Sequence, residues 1–354
     1  MPLKLLKVGT IRVYSKSAPR SLEMAPCTCD NVQEGYSSTM LTEAETPTTR
    51  DFLTVIITTS VTPSVPSTEL LSSVLKSFSR HCPCLLDCRV IVTFDGYEQI
   101  TPVARLKKGR VTPDQAKAYS LYKDNVKNLI LENYYDLCPS EDKVPFAQTN
   151  AEAEYGSPMD PKNVVHYTIS QTSSKKVTFI EPSRRLGFGL SVRSALRVAE
   201  TPYVWIQQHD WALVSDFPLK PLLSVMRESE SGGEPEAPIK YVCLPAVRML
   251  SYESSLGGAT PPVLRNLTSS LGRTFSPASQ PDIKIPLTPV FFWHDKPHIC
   301  STTHYLKLVF PSRLAVLRGD FIEDKIGQRA RAQMKEGHVR IARYLWLRSQ
   351  INRA

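Results

Sequence analysis

Four polar residues, Gln207, Gln208, His209 and Asp210, follow directly on the apolar run Tyr203-Val204-Trp205-Ile206, in a stretch that begins Arg184-Arg185-Leu186-Gly187-Phe188-Gly189. A loop bearing arginine and glycine, a short amphipathic helix ended by Thr201-Pro202, and a strand closing on an imidazole and a carboxylate form, in outline, a site for phosphate and metal. In open α/β sheets ligands gather beyond the carboxyl ends of the strands, so a polar cluster directly after an apolar strand lies where a site is expected. The same residues would also suit an ordinary exit from strand to loop.

Two further clusters carry reactive side-chain types. The run CRVIVTFDGY from Cys88 closes on Asp95-Gly96, a carboxylate and a permissive glycine at a strand end. Later, His294, His298 and His304 share a short segment with Asp295 and Cys300. His294 and His298 would present two imidazoles on one helical face, as a transition-metal site requires, but Pro297 argues against a continuous helix. The segment is therefore not read as a dedicated zinc site.

The elements that must position these residues follow from periodicity. FLTVIITTS from Phe52 is β-branched and apolar without polar alternation, as suits a strand buried on both faces. After the proline-broken turn VTPSVPS, Leu70, Leu71, Val74, Leu75 and Phe78 recur at helical spacing, and CRVIVTFDGY is a second strand. Strand, helix, strand in this order makes a right-handed parallel unit the default. Pro113 to Leu137 reads as a long helix, Cys138 to Asn163 as a polar, turn-rich interruption, and KVTFIE at Lys176 to Glu181 as the third strand. A helix from Leu190 to Ala199 and the strand YVWI follow.

Beyond Asp210 the pattern predicts a helix from Phe217 to Glu228, a flexible acidic connector, a fifth strand at Lys240 to Val247, and a coil-like stretch from Ser251 to Pro286. An aromatic strand, LTPVFFW, leads through a histidine-bearing turn to a helix, and GDFIEDKIGQRARAQMKEG and HVRIARYLWLRSQ read as two closing helices separated by Gly337. The expected fold is α/β, a mostly parallel central sheet flanked by helices. Residues 1–50 read as a poorly ordered leader and 51–350 as one domain.

The 354 residues are 42% apolar and 22% charged, ordinary for a globular chain with a sizeable core. The 43 Lys+Arg against 34 Asp+Glu give a net charge of +9, which favours an anionic partner. Basic residues gather modestly at Arg105 to Arg110, at Arg184-Arg185 and from Arg329 to Arg348. No RNA-recognition signature or zinc-finger spacing appears, so no nucleic acid partner is expected. Eight cysteines, among them Cys82-Pro-Cys84-x3-Cys88, match neither a zinc ribbon nor a disulfide scaffold. Reduced thiols are the ordinary reading, and a lumenal disulfide near Cys82 to Cys88 is the sharper one. With no run approaching ~18 apolar residues, no integral membrane segment is expected. The opening MPLKLLKVGTIRVYSKSAPRS is basic and permits a transit segment, so a soluble protein of the cytoplasm or an organelle is expected, with the compartment left open.

Taken in order, strand one with its TTSVTPSVPST loop, strand two ending FDG, the segment LGFGLSVRSAL and the strand YVWIQQHDW resemble a GT-A-type glycosyltransferase, similar to the inverting family-2 group, over Phe52 to Leu347. The resemblance implies a nucleotide-binding half at 51–216 and an acceptor half at 217–350. It implies that Thr58, Thr59 and Asp95 bind the nucleotide base, and that Arg185, Gly187, Gly189 and Arg193 lie by its diphosphate. Backbone N–H groups beside glycine, the positive end of a helix, and arginine are the groups that hold phosphate. The family's metal motif, a D-x-D-like pair, falls here on Gln208-His209-Asp210, where only Asp210 is a carboxylate.

A Mn²⁺ or Mg²⁺ ion on a diphosphate can use one carboxylate with phosphate and water, so the resemblance still implies such a metal. Gln208 would stand at the ribose or the metal's water shell, His209 would be a second ligand or stack, and a late histidine, His298 or His338, would complete the metal shell; Trp293, His294, Asp295 and His298 are otherwise read as acceptor-pocket or nucleotide-contact residues. Inverting transfer needs a general base at the acceptor hydroxyl. The family's ED-like pair implies Asp324 as that base with Glu323 nearby, although a helix N-terminus favours two such carboxylates on its own. The implied activity moves a sugar from a nucleotide-diphosphate donor to a hydroxyl of a carbohydrate, lipid or protein acceptor. A nucleotidyltransferase, or a nucleotide-sugar-binding protein without turnover, is the alternative; the former would want glycine and lysine after strand one, and VTPSVPST has neither.

Overall fold

The computed structural model describes residues 4–6, 48–135, 144–231, 238–244, 272–290, 292–336 and 345–348, with single positions at 262, 266 and 270. Its strands in chain order are β1 (Lys4–Leu6), β2 (Leu53–Ser60), β3 (Arg89–Asp95), β4 (Gln99–Ile100), β5 (Arg110–Val111), β6 (Phe146–Glu154), β7 (Val164–Thr172) and β8 (Val177–Pro182). They continue as β9 (Tyr203–Gln208), β10 (Trp211–Leu213), β11 (Tyr241–Cys243), β12 (Arg273–Phe275), β13 (Ile285–Pro289), β14 (His298–Ser301) and β15 (Leu345–Arg348). The main helices are α1 (Thr49–Phe52), α2 (Glu69–His81), α3 (Cys84–Asp87), α4 (Pro113–Tyr135), α5 (Phe188–Leu196) and α6 (Leu219–Ser231), with later helical turns at Thr302–His304 and Gln328–Lys335.

Eleven strands form one sheet in the order β12-β13-β15-β11-β14-β9-β2-β3-β8-β7-β6. Its centre, β9-β2-β3-β8, is continuously parallel. Outward from it, β14 and β7 pair antiparallel, as does β13 further out, so these three oppose the direction shared by the other strands. The expected α/β class and the prevailing strand direction are both present, while the wings are mixed. Every residue of β2 except Ser60 is buried, as its unbroken β-branched composition requires of a central strand. Helix α2 turns Leu71, Val74, Leu75 and Phe78 inward, and Phe78 and Phe217 meet Trp205 of β9 edge to face at 6.2 and 5.2 Å.

The chain passes from β2 to β3 and β8 on one side, then returns to lay β9 on the other edge of β2. Loops leaving β2 and β9 therefore diverge, and a crevice opens at their carboxyl ends, where Thr58 is the partner of Gln208. The sheet runs unbroken across the proposed division at residue 216, because β14 pairs with β9.

Four stretches depart from expectation. The polar interval Cys138 to Asn163 contains β6, whose FAQTNAEAE residues are mostly solvent-facing on a sheet edge and so carry little apolar signal. The coil-like stretch Ser251 to Pro286 includes β12 and the start of β13. The histidine-bearing turn is in part β14, four buried residues too short to announce a period. The last predicted helix instead holds β15, paired with β11 and β13. Most of the leader, and His338, lie outside the described residues.

Candidate functional site

A cavity of about 370 Å³ opens at the carboxyl ends of β2, β3 and β9. Thr58, Thr59 and Ser60 line it from β2, Asp95 to Tyr97 from β3, and Gln208, His209 and Asp210 from β9. Leu106, Lys107, Gly109 and Val111 line it as well, with Arg185, Phe188, Ser191, Gly319 and Phe321, and a Cβ on Gly109 would meet Arg185 Cδ at 2.8 Å. Thr58, Thr59, Asp95, Arg185, Gln208, His209 and Asp210, far apart in the chain, thus share one space.

Asp95 organises the floor. Its Oδ1 accepts the backbone N–H of Leu186 at 2.7 Å and of Gly187 at 3.1 Å, and Oδ2 lies 4.0 Å from Arg185 Nε. Tyr119 donates its hydroxyl to the Asp95 carbonyl at 2.8 Å. Burial pushes the carboxyl up to about 6, against the pull of those amides and of Arg185. The hydroxyls of Thr58 and Thr59 donate to the carbonyls of Gln207 and Thr93, at 3.4 and 3.2 Å.

The glycines act differently from the phosphate cradle expected of them. Gly187 has φ +82°, and a Cβ there would meet Gly319 Cα at 2.5 Å; one on Gly189 would meet Val316 Cγ1 at 2.5 Å. Gly319 N–H donates to the Leu186 carbonyl at 2.8 Å and Gly189 N–H to the Asp320 carbonyl at 3.2 Å. The amides of Leu186, Gly187 and Gly189 are thus taken by Asp95 and by the 316–320 loop. Glycine is needed for that loop's close approach, and these amides do not point to a ligand.

Arg193, expected beside the diphosphate, is 1% exposed. It donates to the Glu154 carbonyl, while Arg197 makes the paired contacts to the Glu154 carboxylate. Burial holds its guanidinium down to about 10, with Arg197 adding to the effect. It joins α5 to the end of β6 and does not line the cavity.

His298 is completely buried on β14, its Nδ1 at 2.6 Å from the Lys296 carbonyl and its Nε2 at 3.1 Å from the Tyr305 hydroxyl. Burial drives its pKa down to about 4, so the ring is neutral. It is a structural residue inside the sheet and not a ligand at the cavity. Glu323 also works internally: its Oε2 accepts the Asp295 amide at 3.2 Å and its own amide donates to Asp295 Oδ2 at 3.1 Å. Burial raises the Asp295 carboxyl well above its ordinary range. Asp324 is exposed and does not line the cavity, although Phe321 just before it does.

At the end of β9, Gln208 donates its side-chain amide to the Asp295 carbonyl. His209 Nδ1 lies 3.1 Å from the Thr58 carbonyl, which can only accept, so Nδ1 carries the proton. Asp210 is the one carboxylate of this run, and among the described residues no group of three or more His, Cys, Asp or Glu could hold a metal ion. The donor set does not fit a resident Mn²⁺ or Mg²⁺ centre.

Sequence reasoning missed Lys107, Tyr97, Phe188 and Phe321 as cavity residues. Lys107 belonged to a visible basic loop, but nothing local tied that loop to β9; Phe188 and Phe321 stack at 6.2 Å only because the 316–320 loop folds onto α5. No helix among the described residues is long and apolar enough to cross a membrane.

No protein-family model and no curated protein matches the chain. Among solved structures it is similar to the mannosyltransferase PcManGT from Pyrobaculum calidifontis in complex with GDP-Man and Mn²⁺, at 11% identity and a TM-score of 0.34. The match covers 86% of this chain and 59% of that one, a likeness too slight to bear on substrate or mechanism.

Proposed function

We propose that the chain is a glycosyltransferase of GT-A type that takes a nucleotide-diphosphate sugar at the cavity between β2, β3 and β9. The observation that carries this reading is that Asp95, Arg185, Gln208 and Asp210 line one cavity at the point where the strand order reverses. An anionic diphosphate suits that space, because Arg185 and Lys107 both line it. Tyr97, Phe188 and Phe321 supply aromatic surface for a base or a sugar ring. Asp210, which lines the same cavity, is the proposed acceptor of a hydrogen bond from a ribose or sugar hydroxyl.

With the amides ahead of α5 already engaged, phosphate recognition rests on side-chain cations. Asp324, exposed beyond Phe321, is the proposed general base for an acceptor bound over that ring; inversion at the anomeric carbon belongs to the same proposal. A second reading, a nucleotide-sugar-binding protein without turnover, is favoured by Gln208, which stands in place of an acid and is held by the Asp295 carbonyl.

Calorimetric titration with a panel of nucleotide-diphosphate sugars, with and without Mn²⁺, tests both readings when paired with an assay of donor hydrolysis. Transfer predicts donor binding with slow hydrolysis that Asp324→Asn reduces. Binding without hydrolysis selects the second reading, and preference for a nucleoside triphosphate, or no nucleotide binding, removes the first. Mn²⁺ is expected to change donor affinity less than Arg185→Ala does.

A further inference from the structure

Eight large hydrophobic side chains are prominently exposed among the described residues, and their placement is uneven. Leu121 and Leu308 lie on helical segments. The other six, Ile100 on the short β4 and Val103, Met159, Leu314, Leu317 and Phe321, fall on three connections at one end of the sheet. The first loop follows β3, the second joins β6 to β7, and the third runs back to the cavity at Gly319. Since β6 and β3 point the same way, the turn after β6 emerges at the end where the cavity opens.

Two arginines tie the loops together. Arg313 donates to the carbonyls of Tyr155 and Asn163 at 2.9 and 3.1 Å, and its own carbonyl accepts the Gly156 amide at 3.0 Å. Arg318 pairs with Glu98 and lies over the Tyr155 ring at 5.8 Å. Met159 is 88% exposed, Val103 72% and Leu314 63%, so this apolar rim stays open to solvent on loops that internal contacts hold together, and Phe321 within it lines the cavity. Interspersed with it are the exposed cations Arg105, Lys107, Lys108, Arg110 and Lys162. Two of the acids at this end are matched, Glu98 by Arg318 and Asp320 by Lys325 at 3.5 Å.

Exposed apolar surface on a soluble fold marks an interaction site, and cations beside apolar side chains are the combination that an anionic lipid interface attracts. We infer that this end of the sheet seats peripherally on an anionic membrane surface, with Met159, Val103, Leu314 and Leu317 entering the headgroup layer and Arg105, Lys108, Arg110 and Lys162 against lipid phosphates and carboxylates. The cavity then faces the interface, so a substrate would reach it from the membrane side. The seating itself does not depend on the transfer reading, since it can be measured without donor or turnover.

The test is co-sedimentation of the full chain with vesicles of phosphatidylcholine alone, or containing one quarter phosphatidylserine. Preferential binding to the anionic vesicles, weakened by salt, is expected. The combined variant Met159→Glu, Leu314→Glu, Leu317→Glu should lower it about tenfold or more. Lys108→Glu with Arg110→Glu, which leaves every apolar side chain of the rim in place, should lower it separately and guards against misfolding of the first variant; none of these five side chains lines the cavity. Equal failure to bind both vesicles, or variants that bind like the parent, would overturn the inference. So would sedimentation velocity showing a dimer that the glutamate variants dissolve, which would make the rim a contact between copies.

Discussion

Two regions of the molecule collect acids, histidines and aromatic rings, and they use them in opposite ways. At the carboxyl ends of β2, β3 and β9, Arg185 and Lys107 line an open cavity together with the half-buried His209 and Asp210. Across β9, the segment from Trp293 to Tyr305 turns the same residue types inward. Trp293 packs on Tyr241 and Tyr305 with centroids at 4.2 and 4.9 Å, and His298 and Asp295 are sealed among them. A chemically suggestive side chain becomes a site only where it keeps access to a ligand; when its hydrogen bonds are made internally and water is excluded, it serves the fold. Asp95 stands between the two conditions, lining the cavity while one oxygen holds the loop ahead of α5.

The comparison can be broken from either side. The largest expected effect is on the closed region: Trp293→Ala should cost about 3–5 kcal/mol of stability through the cavity it leaves, read as a lower unfolding midpoint. A near-neutral result would mean the cluster is looser than its contacts suggest. Next comes the seam between the regions, where Gly187→Ala should destabilise by about 3 kcal/mol, from a positive φ and from overlap with Gly319. Retention of full stability would show that the 316–320 loop can move aside without penalty.

On the open side, Arg185→Ala should weaken nucleotide-diphosphate-sugar binding roughly 10- to 100-fold, as expected for about 1.5–3 kcal/mol from a charge-assisted contact. Arg185 Nε stands 4.0 Å from the buried Asp95 carboxylate, so the same variant should also lower the unfolding free energy, by about 1 kcal/mol. Loss of stability with unchanged affinity would reverse the assignment of the two regions.

The smallest effects concern pH. Asp95 binds its proton more tightly folded than unfolded, so its contribution is fully present below 3.8 and is lost as pH rises through about 6. The slope is no steeper than about 1.4 kcal/mol per pH unit. Glu154, lowered from 4.5 to about 2 chiefly by Arg197, has the opposite sign: its stabilisation is present above 4.5 and lost as pH falls through about 2. Urea unfolding across this range should show Asp95→Asn flattening the first slope and Glu154→Gln the second; parallel curves for variant and parent would contradict both.

Much of the frame was legible along the chain. The unbroken apolar run of β2, the spacing of Leu71, Val74, Leu75 and Phe78, and the proline and glycine punctuation around α5 predicted elements that the structure contains. Gln208 and Asp210 were legible because a strand's carboxyl end follows from where its apolar run stops. Strand β6 was hidden, since an exposed edge lacks the alternation that marks a half-buried strand, and β14 and β15 were too short for any period to declare them.

The order of residues by itself determined which segments would be strands and helices at the centre of the sheet, because burial on both faces or on one face leaves a local, periodic trace. It also determined that polar groups would cluster after β9. Only the tertiary structure decided that Gly187 accommodates Gly319, that Arg193 belongs to Glu154, and that His298 faces Tyr305 while Asp95 and Asp210 meet in one cavity. Those outcomes depend on which distant loop packs against each element, and contacts between residues remote in the chain leave no periodicity in either partner.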